Sequence, residues 1–104
     1  YLRFIRDRYF SDAHIRPMDR WLLGLAAYNA GPARIAKLRS EAEEAGLDPD
    51  RWFDNVELVA ARRIGRETVT YVRNVVSYYL AYRMAFERAQ LRAEARVQAV
   101  EPGT

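Results

Sequence analysis

Apolar residues recur at steps of three and four along almost the whole of this chain, broken at Gly and Pro, and no stretch keeps the two-residue alternation of a half-buried strand. That pattern restricts the chain to helices and predicts an all-α fold of about five helical segments without a sheet. With 104 residues there is room for one domain around one modest core, and none for a second. Packing alone must hold that core, because Cys is absent; its absence also removes thiol chemistry and Cys-ligated zinc. No apolar run reaches the roughly 18 residues that would span a bilayer, and no charged-then-apolar leader opens the chain. The chain starts at Tyr1 rather than at Met, as expected of a processed form or a fragment.

Segment by segment, Tyr1 to Phe10 puts Leu2, Phe4, Ile5 and Tyr9 on a broad apolar face and Arg3, Arg6, Asp7 and Arg8 toward water. No capping residue precedes it, the pattern of a helix entered partway. Ser11 to Pro17 reads as a polar loop, after which Asp19 is expected to cap a helix over Arg20–Tyr28 through its side-chain oxygen. That helix is rich in Trp, Leu and Ala and poor in charge, so it should be the most buried element. Gly31 permits the break that follows, and Pro32 suits the first turn of a third helix over Ala33–Ala45, ended by Gly46. Asp48-Pro49 starts a short turn carrying Trp52 and Phe53. Asn55 is expected to cap a segment running through Ile64, closed by Gly65. The last helix starts near Arg66 with Val69, Val72, Val76, Tyr79, Arg83 and Phe86 in one stripe. Beyond Glu87 the apolar positions thin out, which divides the chain into residues 1–86 and a helical extension with a frayed tail at 87–104.

Most residues with chemical potential have structural explanations. His14 lies in a polar loop without a second ligand or base and reads as a surface residue. Asp48, Asp50 and Asp54 lack the glycine and closing Glu of a calcium loop, so turns and caps account for them and no metal site or cofactor is expected. Glu41, Glu43 and Glu44 read as a solvated helix face. Tyr71, Tyr78, Tyr79 and Tyr82 read by default as half-buried packing. The net charge of +3, carried by 16 Arg and one Lys against 14 acids, would suit an anionic polymer, but the signs are interleaved as on an ordinary solvated surface. No recognition helix supports a nucleic-acid partner.

One stretch is different. In Ala27-Tyr28-Asn29-Ala30-Gly31-Pro32 a buried helix ends by bringing an aromatic hydroxyl and an amide to one rim, a combination suited to polar ligands. These residues resemble the AYNAG(P) motif of the soluble lytic transglycosylase domain, the goose-lysozyme-like family that cleaves peptidoglycan. Gly65-Arg66-Glu67-Thr68-Val69-Thr70-Tyr71-Val72 is similar to that family's late E-T-x-x-Y-V helix. Asp50-Arg51-Trp52-Phe53-Asp54-Asn55-Val56-Glu57 resembles a W-F-x-N-V-E stretch of its membrane-bound type F members. The resemblance covers about residues 1–83 and implies the C-terminal part of a lysozyme-like helical domain. The bond it implies as target is the β-1,4 link between N-acetylmuramic acid and N-acetylglucosamine. One Glu protonates the leaving oxygen and then serves as base while the muramoyl C6 hydroxyl closes a 1,6-anhydro ring, so the second carboxylate of an ordinary glycosidase is dispensable.

By the same resemblance Tyr28 and Asn29 line the sugar groove and Tyr71 reaches toward the catalytic carboxyl, while Gly31, Glu57 and Glu67 support the site or the fold. Peptidoglycan glycan strands and the preceding part of the same domain are the implied partners, and the bacterial cell envelope, on its periplasmic side, the implied location. The family's catalytic E-S motif and its G-L-M-Q motif are absent, and no Glu occurs before Glu41, so no residue of this chain takes the role of general acid. The expected function is therefore that of a lytic transglycosylase segment that is inactive alone. The rival is a non-catalytic glycan-binding or helical interaction module. Apolar residues left open on the first and last helices are expected to favour self-association.

Overall fold

The computed structural model of the chain describes residues 1–100, and side chains for residues 1–99. The expected fraying of Glu101-Pro102-Gly103-Thr104 lies outside the described residues. The fold is all α: α1 (Leu2–Tyr9), α2 (Pro17–Ala30), α3 (Pro32–Glu44), a wide turn over Trp52–Val56, α4 (Glu57–Arg63) and α5 (Arg66–Val100). Residues 1–73 form one compact unit, and a second begins at Asn74, partway along α5. Among the described residues no helix is long and apolar enough to cross a membrane.

The first unit is built around α2, whose residues Leu22 to Ala27 are buried without a break. Such a helix, apolar on every side, needs cover all round. α1 supplies Ile5, α3 supplies Ile35, Leu38 and Ala42, the wide turn supplies Trp52 and Val56, α4 supplies Val59 and Ala60, and the start of α5 supplies Val69 and Val72. Loop residues Phe10 and Ile15 complete the core. Where α1 meets α2, a Cβ placed on Gly24 would come within 3.7 Å of Arg6 and Leu2, so the two helices lie in direct contact.

α2 starts three residues earlier than expected, and Asp19 is not its cap. Pro17 lacks an N–H and has its φ fixed, so it fits the first helical position behind an extended Arg16. Asp19 then falls inside the first turn and faces the core, 1% exposed. Its Oδ2 accepts from Arg16 Nε at 2.8 Å, and its Oδ1 accepts the Trp52 backbone N–H at 3.0 Å. α2 also runs on to Ala30 before Gly31, at φ 101°, turns the chain into α3. Gly46 ends α3 as expected, at φ 81°. Its N–H donates to Glu43 O at 3.0 Å and that of Leu47 to Ala42 O at 2.8 Å, the paired bonds of a Schellman motif.

Asn55 does not cap α4. Its Oδ1 accepts from the Asp48 N–H at 2.9 Å and its Nδ2 donates to Phe53 O at 2.9 Å, so it ties the loop before Trp52 to the turn after it. Asp54 sits at φ 60°, a left-handed conformation that Asp tolerates better than most residues. Arg39 holds the same loop from α3, donating to Pro49 O and to Asp50 Oδ1, each at 2.8 Å.

In α5 the apolar stripe is buried only at its start. Val69 and Val72 enter the core, Val75 and Val76 are half-buried, and Tyr78, Tyr79 and Tyr82 are exposed rather than packed. Leu80, Met84, Phe86, Leu91 and Val97 are exposed as well. A 3.6-residue period marks a face that could be covered, and the described residues of the second unit contain no other element to cover it.

Candidate functional site

Two helices of the first unit deliver the side chains. Tyr28 and Asn29 sit in the last turn of α2, pushed outward because Ala26 and Ala27 take the buried positions just before them. Gly31 follows immediately and can adopt φ 101° without a Cβ penalty, so the chain leaves at once and keeps the rim open. Tyr71 lies in the second turn of α5, between the buried Thr68 and Val72, which fixes the side on which that helix meets the core.

The Tyr28 and Tyr71 rings stack with centroids 6.4 Å apart and planes 23° apart. Beside them Thr68 Oγ1 donates to Asn29 Oδ1 at 2.7 Å. That bond fixes the Asn29 amide and leaves its Nδ2 hydrogens for another acceptor. Tyr28 also meets Tyr1 edge-on at 5.8 Å, and Phe4 stacks on Tyr1 at 6.4 Å. Tyr28 remains 52% exposed, so part of its surface is open to a ligand. The result is a rim of aromatic faces, hydroxyls and one held amide, which offers apolar stacking and hydrogen bonds together.

The structure thus brings together Tyr28, Asn29 and Tyr71, separated by more than forty residues in sequence. Glu57 is engaged elsewhere: its Oε1 accepts the Asp54 N–H at 3.2 Å and steadies the left-handed residue. Glu67 is exposed, with no ion pair among the described residues. Of the three acids on α3, Glu43 and Glu44 are exposed, whereas Glu41 is partly buried and pairs with Arg63 at 3.1 Å. Asp48 closes a local turn by accepting the Asp50 N–H at 2.9 Å. Among the described residues no cluster of acids or His could hold a metal ion. Thr68 is among the site residues that sequence reasoning passed over, with Tyr1 and Phe4. It stands inside the E-T segment, but nothing local shows that its hydroxyl meets a side chain 39 positions away.

A membrane-bound lytic murein transglycosylase F of Marinobacter nauticus is 37% identical over a 91-residue alignment covering 69% of this chain and 18% of the relative. Its counterpart in Ectopseudomonas mendocina is 35% identical over 92 residues, covering 69% of this chain and 19% of the relative. That of Pseudomonas syringae pv. syringae is 32% identical over 94 residues, with 76% and 18% covered. The chain is homologous to part of the type F lytic transglycosylases. It spans less than a fifth of the length of these relatives. No family model and no solved structure matches the chain.

Proposed function

We propose that this chain forms the sugar-binding wall of a lytic transglycosylase acting on peptidoglycan, at the bacterial cell envelope. The Tyr28–Tyr71 stack beside the Asn29–Thr68 hydrogen bond carries the proposal, because it sets ring faces and a fixed amide on one rim, as an amphipathic sugar requires. The relatives' names supply murein as the substrate. Residues 1–86 then correspond to the C-terminal part of the transglycosylase domain, and the helix beyond them to an extension.

In this reading the reaction is an intramolecular transfer. A carboxylic acid outside these residues protonates the glycosidic oxygen as the C1–O bond breaks. The muramoyl C6 hydroxyl bonds to C1 and gives its proton to the resulting carboxylate, so the acid is restored and no water is consumed. This chain contributes binding and orientation: Asn29 holds a sugar amide or hydroxyl, Tyr28 packs on a sugar face, and the Tyr71 hydroxyl points at the reacting carboxyl. Gly31 allows the rim its shape, Glu57 supports the fold from the Asp54 turn, and Glu67 serves the helix start. Calorimetric titration of the chain with peptide-free murein glycan strands tests the proposal. Tyr28→Ala should weaken binding about tenfold, as expected for losing an aromatic stacking partner. Equal affinity in that variant contradicts the assignment.

A further inference from the structure

The described residues of the second unit are a single helix, α5 from Asn74 onward. In proteins such a helix draws most of its stability from packing one face against a partner. Along it Tyr79, Tyr82, Phe86, Ala89, Ala93 and Arg96 follow one another at alternating steps of three and four, the a and d spacing of a coiled-coil seam. All six are exposed, Tyr82 at 70%. The seam is uneven in size: its first half is three large rings, and its second half is two methyl groups and a guanidinium. Arg96 forms no ion pair among the described residues.

We propose that this seam pairs with the same seam of a second copy of the chain, antiparallel, as a two-stranded coiled coil. A two-fold axis between Phe86 and Ala89 sets Phe86 against Ala89, Tyr82 against Ala93 and Tyr79 against Arg96, each pair occurring twice as such symmetry requires. Every a position then faces a d position, and the rings fill the space that the methyl groups leave, so the core has an even width. The Arg96 guanidinium comes over the Tyr79 ring, a cation–π contact. On the flanks Arg83 faces Gln90 and Arg92 faces Ala85, so no like charges meet. Parallel pairing in register does the opposite: it sets ring on ring, leaves a gap where methyl meets methyl, and stacks Arg96 on its own copy. The occupant that this seam requires carries the reverse order of sizes, and the seam itself, turned end for end, has that order. A lipid surface gains nothing from the order and would have to accommodate Arg96 within the apolar face.

Because the chain has no Cys, an introduced thiol reports only its own neighbours. Full-length Tyr82→Cys and Ala93→Cys chains would be oxidised with glutathione disulfide, each alone and as an equimolar mixture. The mixture should give a disulfide-linked dimer of the two chains. Ala93→Cys alone should not link to itself, since its two copies lie roughly 16 Å apart along an antiparallel pair, beyond the reach of a disulfide. Self-linkage of Ala93→Cys without linkage in the mixed pair would show parallel strands and overturn the proposal. Sedimentation velocity supplies the second readout. Ala89→Phe adds apolar surface, yet it sets ring against ring and should weaken association about tenfold. Adding Phe86→Ala to it should restore association, and Leu91→Ser, outside the seam, should leave it unchanged. Stronger association of Ala89→Phe, or a loss with Leu91→Ser equal to that with Phe86→Ala, would mean unspecific apolar contact and overturn the proposal. So would a chain that stays monomeric at every concentration while binding vesicles of phosphatidylethanolamine and phosphatidylglycerol, because a lipid surface would then take the seam.

Discussion

The two carboxylate oxygens of Asp19 serve different parts of the chain, Oδ2 taking the Arg16 guanidinium and Oδ1 the Trp52 N–H. Because Asp19 is buried, Asp19→Ala leaves a backbone donor without a partner and should cost about 3 kcal/mol in urea unfolding. Asp19→Asn keeps an acceptor for Trp52 and loses only the pairing with a largely exposed Arg16, so about 1 kcal/mol is expected. Equal losses in the two variants would show that the ion pair, not the backbone bond, carries the stability. At the site, Thr68→Val preserves shape and removes the donor to Asn29. It should lower stability by about 1 kcal/mol and weaken glycan binding, because the freed amide must be reordered when sugar arrives. Unchanged affinity would mean that Asn29 is held without Thr68. Gly31→Ala meets no atom within 4 Å of the new Cβ, so the roughly 1–3 kcal/mol it should cost by thermal melting is backbone strain alone.

Among the elements, α2 carries both the core and the rim, and Gly24 sits at its middle against α1. The nearest atoms to an added Cβ are at 3.7 Å, ordinary contact distance, so Gly24→Ala should stabilise the chain by up to about 1 kcal/mol through helix propensity. A loss of stability would show that the two helices are packed too tightly for a methyl group. The helical periodicity and the positive-φ positions at Gly31, Gly46 and Gly65 were legible in the sequence, because each depends on local sterics. Helix starts were less so. Asp19 and Asn55 have the chemistry of caps, yet each spends its oxygen on a backbone N–H distant in sequence or across a loop, and Pro17 sets the true start of α2. The Tyr28-Asn29 rim was readable from its motif and Tyr71 from a family resemblance. Thr68, Tyr1 and Phe4 were not, since their partners are fixed by helix packing. The exposed tyrosines of α5 show the converse limit: periodicity records a face and says nothing of what covers it.

At the scale of the whole molecule, exposed apolar residues are frequent on α1 and along α5, among them Phe4, Tyr9, Tyr79 and Phe86. Sedimentation velocity across a concentration series should therefore show reversible association, weakened when Tyr79 and Phe86 are replaced by Ser. A monomer at every concentration would count against these surfaces as association sites. The central claim, that this chain supplies the sugar wall of a lytic transglycosylase, is tested most directly by exchange. This chain would replace the matching segment of the Marinobacter nauticus relative, and release of 1,6-anhydromuropeptides from purified sacculi would be measured beside the melting temperature. An active hybrid is expected, in which Tyr71→Phe lowers the rate about tenfold or more at an unchanged melting temperature. A well-folded hybrid that releases no anhydro product, or a Tyr71→Phe hybrid with full activity, would contradict the claim.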